Sequence, residues 1–255
     1  MAWLKTKEEI ALLREGGKLH ARILEDLKNM AKPGMSTKDL NDYAEQEIRK
    51  AGDKPSFLNY QPYGADRPYP ATLCVSVNDE IVHGIPSKKR ILKKGDIVKC
   101  DLGVTHHGLI TDAAITFSIG EVPEEIQTLM KVTEESLMAG IKAARAGNHI
   151  GDIGAAIFAC AIPYGYGVVR DLGGHGVGHG VHEEPHIPNF GRPGTRELLE
   201  PGMVLAIEPM FTLGTHKVKL LKDGYTFSTA DGSLSAHFEH TIAITKGDPI
   251  ILTAK

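Results

Sequence analysis

A chain of 255 residues with 42% hydrophobic and 24% charged residues has the composition of a folded globular protein large enough to bury a substantial core. Its net charge of −3 gives no broad basic field for nucleic acid or an anionic membrane, and its three cysteines, Cys74, Cys100 and Cys160, form neither a CxxC pair nor a disulfide framework, which points to a reducing cytosol. Lys5, Lys7, Glu8, Glu9 and Arg14 leave no apolar stretch for a signal peptide, and the most apolar run, residues 155–169, is too short and too broken by Pro163, Gly165 and Gly167 to span a bilayer.

The first thirty residues read as a helix. Thr6 and Glu9 form a capping box, and Leu12, Leu19, Ile23, Leu27 and Met30 recur on one face until Pro33-Gly34. Ser36 caps a second helix with Leu40, Ala44 and Ile48 on one face, ending at Gly52. Residues 53–70 are rich in proline and glycine and read as a loop, and strands are predicted at 72–77, 96–104 and 109–119. The order then begins again. A helix is expected from about Glu124 to Ala146 and another from near Asp152, carrying Ile153, Ile157 and Ala161. Strand-like runs follow at 203–208 and 236–245.

The restart is visible in the residues themselves. Residues 31–40 resemble 144–153, 82–86 resemble 181–185, 92–101 resemble 199–208 and 112–120 resemble 239–247. Any one match could arise by chance, but four in the same order indicate a chain of two related halves, about 1–120 and 121–255, in a single domain. Two copies are too few for a repeat array. The matches set Asp101 opposite Glu208 and Asp112 opposite Glu239. If the halves pack about a pseudo-twofold axis, two acids from each converge. Four carboxylates so placed repel one another and are costly to desolvate, and divalent cations relieve both costs.

Asp101 and Asp112 flank a hairpin turning at His107-Gly108. Asp101 sits in an apolar strand, where an acid is more often bound than solvated. Asp112 taken alone fits a strand start equally well. Glu208 ends the apolar run 203–207 and also fits a turn acid, while Glu239 also fits an exposed strand face. His175 lies in a glycine-rich segment, residues 173–180, whose bare backbone allows close approach to a bound object; a flexible Gly/His loop is the other reading. The segment lacks the Lys-Ser/Thr ending of a phosphate loop. One imidazole and four carboxylates suit Mn(II), Fe(II), Co(II) or Zn(II), and five side chains suit two cations sharing carboxylates better than one cation with an open position.

With these residues in place the chain resembles the type I methionine aminopeptidases. The resemblance runs through His83 to Pro86, Asp101 with Asp112, Gly174 to Gly178, His182 to Pro185, Ile207 to Met210 and Phe238 to Thr241, and covers the chain from about Lys5 to Leu252. It implies an α+β "pita-bread" fold, two pseudo-symmetric halves around a curved antiparallel sheet. It implies two divalent metal ions on Asp101, Asp112, His175, Glu208 and Glu239, with Asp112 and Glu239 bridging, and removal of the initiator methionine. It also implies substrate-facing histidines at His83, near the scissile nitrogen, and His182, near the carbonyl oxygen, with Glu208 moving protons. Tyr69, Cys74 and Tyr225 match positions lining an apolar side-chain pocket. The expected setting is the cytoplasm, with nascent polypeptide N-termini as partners at the ribosome, a monomeric enzyme, and neither nucleic-acid recognition nor membrane attachment. Only 26 positions separate His182 from Glu208, which leaves no room for the type II insertion, and no Cys/His zinc-binding extension precedes the domain. The pattern is departed from at His237, where glutamine is usual, at Val181, where an aromatic is usual, and in a longer loop from Phe57 to Thr72. Two other readings share the fold: an X-Pro aminopeptidase or prolidase, which usually carries a further N-terminal domain, and a non-catalytic binding protein, which typically loses metal ligands.

Overall fold

The computed structural model describes residues 3–255. Thr6 caps the first helix, α1 (Lys7–Met30). Its hydroxyl accepts from the Glu9 N–H at 3.1 Å while Glu9 accepts from the Thr6 N–H at 2.7 Å, so two of the helix's orphan donors are satisfied. The face that α1 buries is rotated from the one its apolar spacing predicts. Leu13, Gly16, Gly17, His20, Leu24 and Leu27 are buried beside Ile23, whereas Leu12, Leu19 and Met30 are half-buried. Two glycines cause the rotation. A Cβ on Gly17 would stand 2.1 Å from the Leu252 carbonyl oxygen, and one on Gly16 would stand 2.6 Å from His106 Cβ. The closest packing of the helix therefore comes from residues that hydropathy does not mark.

Helices α2 (Thr37–Lys50), α3 (Glu124–Ala143) and α4 (Ile150–Ala161) complete two pairs. The pairs start alike. The Ser36 N–H donates to Asp39 Oδ2 at 2.8 Å, and the His149 N–H donates to Asp152 Oδ2 at 2.7 Å. Ser36 bridges Ile91 as His149 bridges Leu198. The Leu92 N–H reaches Met35 O at 2.8 Å, and the Leu199 N–H reaches Asn148 O at the same distance. These recurrences follow the offsets of the sequence matches. Helix α3 ends about three residues earlier than expected, where Asn148 Nδ2 donates to the Ala143 carbonyl at 2.9 Å and closes the turn ahead of Gly147.

All the paired strands are antiparallel. In the first half Ile97–His106 lies between Leu73–Val77 and Leu109–Ser118, and the short strand Lys54–Pro55, inside the expected loop, pairs with Val104 and Thr105. Helices α1 and α2 cover this sheet through Ile23, Leu27, Leu40 and Ile48 against Leu73, Val98 and Leu102. In the second half five strands run in the order Ile250–Ile251, His240–Ala243, Val204–Ile207, Gly173–Gly176, Glu183–Pro188. Helices α3 and α4 cover them through Leu137, Ile141, Ile153 and Ile157 against Leu205, Ile207 and Ile242. This is the pita-bread arrangement of two pseudo-symmetric α+β halves.

The run expected as one strand over 236–245 is two. Ser235–His237 pairs with Met210–Thr212, and His240–Ala243 pairs with Val204–Ile207. Both partners break at the same level. Pro209 has no N–H to continue the ladder, and opposite it Phe238 and Glu239 leave the register. The Glu239 N–H then donates to the Ala114 carbonyl at 2.9 Å, which joins the halves. Its pseudo-twofold counterpart runs through a side chain: the Asp112 N–H donates to Thr241 Oγ1 at 2.8 Å, and Thr241 Oγ1 donates to the Asp112 carbonyl at 2.6 Å.

Candidate metal centre

The seam between the halves places the acids. Asp101 and Asp112 stand on adjacent strands of the first half, Glu208 follows Val204–Ile207, and Glu239 sits at the break between Ser235–His237 and His240–Ala243. Asn189 Nδ2 donates to the Glu208 carbonyl at 3.0 Å and fixes that turn. His175 comes from Gly173–Gly176, paired with Val204–Ile207. A Cβ on Gly174 would lie 2.2 Å from the Ala206 carbonyl oxygen, so this strand can approach its neighbour only because residue 174 is glycine.

His175 Nε2 lies 3.6 Å from Glu208 Oε1 and 3.9 Å from Asp112 Oδ2. One ligand atom from each of Asp112, His175 and Glu239 falls within 4.8 Å of the others. The His175 Nδ1–H donates to the Gly176 carbonyl at 2.8 Å, which leaves the Nε2 lone pair facing the acids. Burial holds the imidazole neutral, with a pKa lowered to about 3. The same burial pushes the acids the other way. Asp101 rises to about 7, with Glu208 adding repulsion, and Asp112, Glu208 and Glu239 are also raised. Asp101 Oδ1, Asp112 Oδ1 and Glu239 Oε1 are buried and accept no hydrogen bond. Unsatisfied carboxylate oxygens beside a neutral imidazole are the donor set that divalent cations complete.

A linkage follows from these shifts. Cations must displace the protons that the raised carboxyls retain, whereas His175 holds none above about pH 3. The stabilisation conferred by saturating Mn(II) or Co(II) is therefore expected to grow from pH 6 to pH 8, as Asp101 passes through about 7, and to be lost as pH falls. Melting temperatures of metal-free and metal-loaded protein across that range check this. An equal metal-induced shift at every pH would contradict it.

One cavity of about 290 Å³ is lined by all ten residues singled out in the sequence: Asp101, Asp112, His175, Glu208, Glu239, His83, His182, Tyr69, Cys74 and Tyr225. Beside the acids, Phe57, Tyr69, Cys74, Val181 and Tyr225 form a buried apolar cluster. The Tyr69 and Tyr225 rings meet edge to face at 5.1 Å, and Tyr69 donates to the Gly84 carbonyl at 3.0 Å. Phe57 rests on Gly103, where a Cβ would stand 2.6 Å from its ring. His83 adopts φ +60, unusual for a residue with a side chain, and burial holds its ring neutral with a pKa lowered to about 4. His182 is exposed at the open side, its ring 4.5 Å from that of His175 and its Nδ1 2.9 Å from the Tyr60 hydroxyl. The sequence reading passed over Phe57 and Tyr60. Both lie at the start of the longer loop, whose neck is closed by Asn59 N–H to Tyr69 O at 2.9 Å and Tyr69 N–H to Tyr60 O at 2.8 Å. Aromatics next to a long loop were the available signal. His237 was noted as a departure, and the structure sets it against Glu208 and Glu239.

Comparison with known proteins agrees with this geometry. Residues 11–246 match the model of metallopeptidase family M24. A methionine aminopeptidase of Clostridium acetobutylicum is 46% identical over 253 residues, 99% of each chain. The crystal structure of a methionine aminopeptidase from Thermotoga maritima superposes with a TM-score of 0.95 at 42% identity, covering 100% of both chains. A prolidase from Pyrococcus furiosus shares the fold at a TM-score of 0.76 and 22% identity, with 99% of this chain covering 65% of the prolidase.

Proposed function

The chain belongs to metallopeptidase family M24 and is an aminopeptidase that removes the N-terminal methionine of new proteins, and from that premise we propose that two divalent cations, held by Asp101, Asp112, His175, Glu208 and Glu239, carry the reaction. The observation behind this reading is the buried set of raised, unsatisfied carboxyls around one neutral imidazole. Bound there, the pair supplies an acidified water and polarises the scissile carbonyl. Asp112 and Glu239, brought together with His175 so that one ligand atom from each lies within 4.8 Å of the others, would hold the cations from opposite sides of the seam.

The chain's own residues do the rest. Phe57, Tyr69, Cys74, Val181 and Tyr225 receive an unbranched apolar side chain and exclude water from it. Burial pushes the Cys74 thiol well above its usual pKa, so it serves as a wall and not as a nucleophile. His83, neutral and fixed by its turn, donates to the amide nitrogen that leaves. His182, on the open side, donates to the carbonyl oxygen as negative charge develops there. Glu208 takes the proton from the attacking water and delivers it to the leaving amine. Co(II), Mn(II), Fe(II) and Zn(II) all suit the donor set. We place the enzyme in the cytoplasm as a single-domain, type I monomer of two pseudo-symmetric halves, acting on nascent chains at the ribosome. Among the described residues no helix is long and apolar enough to cross a membrane.

The test is turnover of metal-free protein reconstituted with each of the four cations, on Met-Ala-starting and X-Pro peptides. Cleavage of the former, dependent on added cation and absent for the latter, is expected. Preference for X-Pro would assign the chain to the prolidase-like reading, and cleavage without any cation would remove the metal from the mechanism.

A further inference from the structure

We infer that His237 is a sixth protein ligand of the cation pair, supplying an imidazole to one cation as His175 supplies one to the other. The inference rests on the two-cation reading above. The ring is 1% exposed, and neither of its nitrogens has a hydrogen-bond partner. A buried group left unpaired costs about 1–3 kcal/mol, so an imidazole kept in this state points to a partner not made of protein.

The distances say which kind. His237 Nε2 lies 3.5 Å from Glu208 Oε2 and 4.0 Å from Glu239 Oε2. His175 Nε2 lies 3.6 Å from Glu208 Oε1 and 3.9 Å from Asp112 Oδ2. Each imidazole thus faces a different oxygen of Glu208 and a different second carboxylate, with closely similar spacing. Separations of this size are too long for hydrogen bonds. They are close to the roughly 3.4 Å between two atoms bound to one tetrahedral cation at about 2.1 Å.

The backbone under His237 is held firmly. Its N–H donates to Thr116 Oγ1 at 2.9 Å and its carbonyl accepts from the same hydroxyl at 2.5 Å. Two residues earlier, Ser235 O accepts from the buried Lys99 ammonium at 3.2 Å. The ring itself has no second bond comparable to that from His175 Nδ1 to Gly176 O. The cation on the His237 side is therefore the more weakly held of the two. An imidazole is a strong ligand for Co(II) and Zn(II), and its contribution to Mn(II) is smaller. Glutamine, usual at this position in the enzymes the chain resembles, can donate a hydrogen bond to Glu208 but is a poor ligand for either.

Metal-free wild type, His237→Gln and His237→Ala would be titrated with Co(II) and with Mn(II), following bound metal by elemental analysis and Co(II) by visible absorption. Wild type should take two Co(II) per chain. In His237→Gln the second should bind at least tenfold more weakly with altered band intensities, and Mn(II) binding should change less. Independently of any variant, proton NMR of the Co(II)-loaded wild type should show two exchangeable, hyperfine-shifted imidazole N–H resonances. A single such resonance, or unchanged Co(II) affinity and spectrum in His237→Gln, overturns the inference. So does weakening in His237→Ala alone, which would make His237 a hydrogen-bonding support for Glu208. A wild type that binds fewer than two cations would instead refute the two-cation reading itself.

Discussion

Replacing His175 by alanine is expected to leave a folded chain that no longer cleaves Met-Ala peptides, with kcat/KM lowered by roughly a thousandfold or more. The magnitude follows from the several kcal/mol that a metal site contributes to charge stabilisation, at about 1.4 kcal/mol per decade of rate. His175 is the only one of the five proposed ligands that is a neutral lone-pair donor at working pH, because burial lowers its pKa to about 3 while the acids are raised. Without it the cations lose their nitrogen donor on that side, and the acids revert to holding protons. The fold should survive, since the strand is paired through its backbone and Gly174 keeps its close approach. Circular dichroism and thermal melting establish the folded state, and elemental analysis reports the metal content. Near-normal turnover in the variant would remove His175 from the site.

The second large effect needs no change to any ligand. Gly174→Ala puts a methyl group where the Ala206 carbonyl oxygen lies 2.2 Å away. The obstacle is backbone and cannot swing aside, so strand Gly173–Gly176 must separate from Val204–Ile207. Overpacking of this kind costs about 1–3 kcal/mol or more. The consequence for catalysis is larger than for stability. His175 sits on the first of those strands and Glu208 directly follows the second, and misplacement by about 1 Å costs on the order of a hundredfold in rate. Gly180→Ala, in the same glycine-rich segment, is the control. Its Cβ would meet nothing closer than 3.6 Å, so stability and turnover should stay near wild type. Equal behaviour of the two variants, measured by melting and by peptide cleavage, would contradict the packing argument.

The convergence of the four acids on one cavity was legible because acids in apolar strands are conspicuous and because the duplication pairs Asp101 with Glu208 and Asp112 with Glu239. The first helix pair was legible from its caps at Thr6 and Ser36 and the second from its apolar spacing, while the bond from His149 N–H to Asp152 that matches Ser36 N–H to Asp39 emerged only in the structure. The buried face of α1 was not, because Gly16 and Gly17 contribute closeness and no hydrophobicity. The split at Phe238-Glu239 was missed because its cause lies 29 residues earlier, at Pro209 on the partner strand, and a local pattern of alternation carries no trace of it. Phe57 and Tyr60 escaped for a related reason. They enter the cavity from loops, and loops have no period from which a facing direction can be read.

The pairing of Gly17 with Leu252 has a kinetic consequence. Helix α1 cannot seat until the last few residues of the chain are available, and the seam from Asp112 to Thr241 spans 129 residues. Contacts this remote in sequence make loop closure costly and slow the approach to the native state. Activity should consequently return in refolding only with the final, slowest phase, and a chain truncated before Ile250 should lose the docking of its first helix along with its last strand.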